Sequence, residues 1–181
     1  DESHMHTAWS LGNYDQAFSY LIQAYASDFY RTSLRIVLDH DAAQDVLQEA
    51  SIKMWQGLPN FKGQSRFSTW ATRVVINESL SHLRRQKIHV DLASVSLAVP
   101  QSPYFESDAL LEALHDAVNQ LPEKQRLTFQ LRYFDEKPFA EIAELLGTSV
   151  GGLKANYHHA AEKVKKHILA LNPTYTDASN D

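Results

Sequence analysis

His158 and His159 stand side by side in the stretch GTSVGGLKANYHHAAEKVKKHI, behind a glycine pair, Gly151 and Gly152. Imidazoles suggest a metal, glycines a phosphate, and the lysines that follow a nucleic acid. The metal reading is weak. Chelation from one helix needs ligands three or four residues apart, whereas neighbours point about 100° apart. Only His158 with Glu162 has usable spacing, and one such pair is common by chance. A nucleotide loop fares no better: Gly147 to Gly152 has the first spacing of a P-loop, but Leu153 stands where its lysine belongs, and a helical pattern precedes it rather than a strand. With no cysteine in the chain, thiol catalysis, zinc–thiolate sites and disulfides are excluded. No constellation asks for an enzyme or a cofactor, and no metal site is expected.

What remains is a helix that reads DNA, or the solvated outer face of a helical domain. The segment PFAEIAELLGTSVGGLKANYHHA has the form of a helix-turn-helix. Ala143 is small where two helices approach, Gly147 allows the turn, and Thr148 or Ser149 can cap the second helix. On that helix Val150, Leu153, Tyr157, Val164 and Ile168 fall on one face. Gly151, Gly152, Ala155, His159 and Glu162 point the other way, flanked by Lys154 and His158. The glycines cost helix stability but permit close backbone approach to a phosphate at the helix N-terminus.

The formal net charge of −5 conceals a segregation along the chain. Asn60 to Lys87 carries Lys62, Arg66, Arg73, Arg84, Arg85 and Lys87 against Glu78 alone, whereas Asp39 to Glu49 carries Asp39, Asp41, Asp45 and Glu49 and no base. Two partners are implied, one anionic and one basic.

The elements that position these groups are helical throughout, so the fold class is all-α: two small helical domains joined by a flexible linker. Phe18, Leu21, Ile22, Tyr25 and Phe29 mark one long helix. Asp41 with Gln44 resembles a capping box for the next, whose inner face is Ala43, Val46, Leu47, Ala50 and Met54 and which stops near Gly57 and Pro59. After the loop NFKGQS, Phe67, Trp70, Ala71 and Val74 begin another helix that runs to LRRQK. The text then turns to serine and proline. The domain boundaries are 5–88 for the first domain, 89–108 for the linker, 109–171 for the second domain and 172–181 for a disordered tail; residues 1–4 read as a cloning remnant. In the second domain Leu111, Leu114, Val118 and Leu121 form one stripe, Pro122 suits a helix start, and Phe139, Ile142, Ala143 and Leu146 form another. No apolar run approaches the roughly 20 residues that span a bilayer, so a soluble, cytoplasmic protein without membrane insertion is expected.

Together the segments DAAQDVLQEASIKMW, NFKGQSRFSTWATRVVINESLSHLRRQK and LPEKQRLTFQLRYFDEKPFAEIAELLGTSVGGLK resemble a bacterial RNA polymerase sigma factor of the extracytoplasmic-function group, the kind with only sigma domains 2 and 4. The likeness covers roughly Tyr14 to Ile168, in the family's order. It implies a sigma domain 2 helical bundle, a sigma domain 4 helix-turn-helix, and promoter-specific transcription initiation. The partners implied are core RNA polymerase, through its β′ clamp helices and β flap, promoter DNA, and an anti-sigma factor. Asp45, Gln48, Glu49, Ile52 and Trp55 would meet polymerase, a mixed acidic and aromatic face suited to a basic partner with an apolar anchor point. The −10 element would be read by the loop and helix holding Phe61, Lys62, Gln64, Ser65, Arg66, Trp70, Arg73, Asn77 and Arg84, with Lys53 near a flipped base. Trp70 suits a core position equally well. At the −35 element Lys154, Ala155, His158 and His159 would lie nearest base edges, and Thr148, Gly151, Gly152 and Lys163 near the backbone. Many members carry a hydroxyl where Gly152 stands and more arginine around Asn156, His159 and Ala161, so a weaker electrostatic term is expected here. The rival is a stand-alone helix-turn-helix regulator binding duplex DNA, which leaves the acidic helix and basic loop unexplained.

Overall fold

The computed structural model describes residues 2–93 and 109–171. The expected tail and most of the expected linker lie outside them. Among the described residues every regular element is helical, and the chain divides after Ser102 into two compact units.

In the first unit, α1 (Glu2–Ser10), α2 (Tyr14–Val37), α3 (His40–Gly57) and α4 (Phe67–Ala93) pack on one another. Met5, Leu21, Phe29, Met54, Leu58, Phe61, Phe67 and Val75 form the main core, and Ala50 and Ala71 let the helices approach closely. A second cluster of Val37, Ala42, Ala43 and Val46 closes one end against Tyr30, Leu34 and Leu83. Asn13 caps α2, its side chain accepting from the Gln16 N–H at 3.4 Å. That helix ends on Leu38, whose φ of 61° is the left-handed cap conformation and lets its N–H reach the Leu34 carbonyl at 2.8 Å.

Three sequence expectations change here. Asp39, not Asp41, caps α3: its extended backbone aims the carboxylate at the Ala42 N–H, 2.7 Å away, and Asp41 falls in the first turn, where its charge suits the helix dipole. Residues 2–10 form a helix that the periodicity did not predict. Its fold comes from burial of Met5 and Ala8 and from Trp9, whose indole donates to the Leu58 carbonyl at 2.9 Å. Glu2, which the sequence reading set aside with residues 1–4, accepts from the Ser68 N–H at 3.1 Å, at the start of α4. Finally, α4 does not stop at residue 88 but continues to Ala93.

In the second unit α5 (Ala109–Asn119), α6 (Glu123–Phe129) and α7 (Phe139–Leu146) all pack against α8 (Val150–Leu171). Ala117, Val118, Leu121, Phe129, Ala160 and Val164 are its buried core, completed by Leu114, Phe134, Tyr157 and Ile168. After α6 the chain makes one wide π-helical turn, Gln130–Phe134. Arg132 staples the bend that follows: its guanidinium donates to the Lys137 carbonyl at 3.2 Å and sits 5.4 Å from the Phe139 ring centre. Val150, expected in the core stripe, is 38% exposed at the first position of α8.

Candidate nucleic-acid interface

Gly147 ends α7 in the left-handed conformation, φ 61°, which glycine adopts without a Cβ penalty. Both its own N–H and that of Thr148 turn back to the Ala143 carbonyl. Two residues after Gly147, the Ser149 hydroxyl accepts from the Gly152 N–H at 3.1 Å and starts α8. A side-chain carbon on Gly152 would lie 3.2 Å from that hydroxyl, so Gly152 leaves room for the cap; a side chain on Gly151 would meet open space. From this start Gly151, Gly152, Lys154, Ala155, His158, His159 and Lys163 all stand exposed on α8, with Thr148 exposed in the turn, opposite buried Leu153, Ala160 and Val164. Lys163 is tethered to the Gln125 side chain at 3.0 Å. Among the described residues no group of three or more His, Cys, Asp or Glu side chains could hold a metal.

In the first unit, Arg66, Trp70, Arg73, Asn77 and Arg84 recur at helical spacing along one side of α4 and its entry. Asn77 and Arg84 are exposed; Trp70 and Arg73 are half-buried. The loop before α4 exposes Lys62, Gln64 and Arg66, with Ser65 half-buried. Phe61 departs from expectation. It is 8% exposed, its ring 4.4 Å from Phe67, 5.3 Å from Trp70 and 5.6 Å from Trp9, so its faces are taken by core contacts and are not open for stacking a base. Trp70 lines the same cluster and lies close over Gly57, where an added Cβ would come to 3.0 Å of the indole. Arg66 approaches Glu2 at 3.3 Å. Burial alone would raise the Glu2 carboxyl, but the hydrogen bonds from Ser68 and the nearby Arg66 outweigh it and hold it below its ordinary value.

On α3 the row Asp45, Gln48, Ile52 and Trp55 is exposed, opposite Ala43, Val46, Ala50 and Met54. Ile52 at 51% and Trp55 at 41% are unusually open for large apolar side chains. Trp55 is steadied edge-on by Phe18 of α2, 5.5 Å between ring centres. Glu49 and Lys53, one turn apart, face α4. Lys53 is ion-paired with Glu78, a carboxylate only 2% exposed, so this cation is held by the protein rather than left free for DNA. Arg85 lies between two acids, 3.1 Å from Glu49 and 3.6 Å from Glu78. Part of the charge that the sequence segregates is therefore matched within the fold. Sequence reasoning counted Glu78 and Arg85 only as charges; the usable signal was a lone acid in a basic run, seven residues before Arg85 and hence on the same helix face.

The Sigma-70 region 2 model matches residues 21–88 and the Sigma-70, region 4 model residues 111–164. The chain is 30% identical over 179 residues to the RNA polymerase sigma-H factor of Pseudomonas aeruginosa, covering 90% of each. It is 25% identical over 169 residues to the ECF RNA polymerase sigma factor SigW of Bacillus subtilis, covering 86% of this chain and 90% of that one. Among solved structures, the sigma factor RpoE in complex with the anti-sigma factor NepR from Bartonella quintana has a like fold, with TM-score 0.69 at 22% identity over 86% of this chain and 98% of that one. So does CnrH in complex with the cytosolic domain of CnrY, with TM-score 0.67 at 20% identity over 97% and 99%.

Proposed function

The chain belongs to the sigma-70 family of RNA polymerase sigma factors, in the extracytoplasmic-function group, and on that premise we propose how its surfaces divide the work of promoter-directed transcription initiation. The outer face of α3 docks on the β′ clamp helices of core polymerase. Asp45, Gln48 and Glu49 meet basic groups there, and Ile52 with Trp55 supplies the apolar anchor. The observation that carries this is the exposure of Ile52 and Trp55 beside those acids, on the side of α3 away from its buried alanines. Half-open aromatic side chains in a polar setting are typical anchors of protein interfaces.

The −10 element is met by Lys62, Gln64, Ser65 and Arg66 in the loop and by Trp70, Arg73, Asn77 and Arg84 along α4. Cations there neutralise phosphates, Asn77 offers both a donor and an acceptor to a base edge, and half-buried Trp70 offers an aromatic ring for stacking. Phe61 supports this surface from beneath, while Lys53 is committed to Glu78. The −35 element is met by α8, with Lys154, Ala155, His158 and His159 towards base edges in the major groove and Thr148, Gly151, Gly152 and Lys163 towards the backbone.

The protein acts by binding energy and not as an enzyme: it directs polymerase and stabilises the first unpaired bases. It works in the cytoplasm beside polymerase, the second unit also meeting the β flap. An anti-sigma protein holds it inactive; the RpoE structure named above is itself in complex with the anti-sigma factor NepR. A free-standing helix-turn-helix regulator would have no use for the unit that matches Sigma-70 region 2. The test is core binding by Asp45→Lys and Trp55→Ala variants. Each is expected to lose core affinity at least tenfold with an unchanged far-ultraviolet circular dichroism spectrum; retained affinity in both would refute the α3 assignment.

A further inference from the structure

Four side chains alternate in charge where α3 meets α4: Glu49 and Lys53 on α3, Glu78 and Arg85 on α4. They are not equivalent. Glu78 is buried and fixed by Lys53, whereas Glu49 and Arg85 are both about half-exposed, at 48% and 49% of their side-chain surfaces. The same Arg85 nitrogen, Nη2, lies 3.1 Å from Glu49 and 3.6 Å from Glu78. The Arg85 guanidinium holds the Glu49 carboxyl below its ordinary range. Glu49 is one turn beyond Asp45 and borders the exposed row of Asp45, Gln48 and Ile52, while Arg85 directly follows the exposed Arg84. The pair therefore bridges the edge of one surface to the edge of the other.

An ion pair this exposed contributes little net stability and is readily exchanged for other partners. Glu78, by contrast, is a fixed second counter-charge for Arg85 at 3.6 Å, buried and paired with Lys53. We propose that Glu49 is an exchangeable cap on Arg85: core polymerase takes the Glu49 carboxylate with one of its own basic groups, and the freed guanidinium, still anchored towards Glu78, takes a promoter phosphate. Polymerase docking thus adds one cation to the DNA surface, and the free protein is held back from DNA by its own acid. The inference rests on the assignment of the outer face of α3 to polymerase.

The experiment uses the full chain and a random-sequence single-stranded DNA 20-mer, since a phosphate contact carries no sequence information. With Glu49→Gln, affinity of the free protein for this DNA is expected to rise about three- to tenfold at low salt. The logarithmic salt slope should steepen by about 0.7, the value for one further contact to a single strand. The gain must be absent when Glu49→Gln is introduced into the Arg85→Gln variant and compared with Arg85→Gln alone, whereas a mere change of net charge would leave it in place. In parallel, Glu49→Lys should weaken core binding, and Arg85→Gln should bind core at least as well as the parent. No gain with Glu49→Gln, or a gain that survives the loss of Arg85, overturns the exchange while leaving the polymerase face intact. Undiminished core binding by Glu49→Lys overturns it from the other side, because then polymerase does not take this carboxylate.

Discussion

Phe61 sits in a cationic loop, where an aromatic residue has the composition of a base-stacking platform, yet its ring is enclosed by Trp9, Phe67 and Trp70. One of those rings, Trp9, lies far earlier in the chain, so no local pattern could have announced its contact with Phe61. The two roles separate in experiment. Phe61→Ala should destabilise the first unit by about 3–5 kcal/mol in urea unfolding, as expected for emptying a core aromatic site, whereas a stacking residue would lower DNA affinity at unchanged stability. For the side chains of α8 the geometry supports the opposite outcome. Lys154→Ala and His158→Ala remove exposed groups, so stability should stay within about 0.5 kcal/mol of the parent. Transcription from promoters that differ only at the −35 element should then lose discrimination by about 1–3 kcal/mol per base contact removed. Equal loss at all promoters would mean that these residues touch phosphate alone.

Among elements, the helix-turn-helix was the most legible, because its punctuation is local: Gly147 adopts a positive φ, Ser149 caps α8, and the stripe Leu153, Tyr157, Val164, Ile168 recurs at helical spacing. Gly147→Ala should cost about 1–2 kcal/mol in the second unit, the penalty of a Cβ in the left-handed region, and Ser149→Ala about 1 kcal/mol from the lost cap; chemical denaturation measures both. The cap of α3 was misassigned by two residues because Asp39 and Asp41 are chemically alike, and only the extended backbone at Asp39 distinguishes them. Helix α1 was illegible for a different reason. Its sequence is short and polar, and its helicity depends on packing of Met5 and Trp9 and on Glu2 at the start of α4. Hydrogen bonds from Ser68 and the nearby Arg66 hold the Glu2 carboxyl below its ordinary value, so its contribution is present above the unfolded pKa and fades as pH falls through the folded one. The parent should therefore be more stable than Glu2→Gln at pH 6, and that difference should shrink below about pH 4.5. A difference independent of pH would contradict the charge-based account of this contact.

At the scale of the whole molecule, the sequence order of an acidic helix, a basic loop and helix, and a distant helix-turn-helix was enough to indicate two units with separate tasks, and the matched regions follow that order. What the sequence could not convey was how much of that charge is consumed internally. Lys53 and Arg85 are both held by Glu78, and Arg85 also by Glu49, pairings that depend on how α3 packs against α4. With few free cations on α8, promoter binding by the holoenzyme should depend less steeply on salt when the −35 element is present alone than when the −10 element is present alone. The central claim is that both units serve one task, bringing polymerase to promoters. Its most direct test is to mix the purified protein with core RNA polymerase and transcribe a pool of genomic fragments with mapped start sites. Stable core binding, with starts clustered downstream of a shared two-part motif, is the predicted result; a protein that ignores core polymerase but shifts duplex DNA unaided would contradict it.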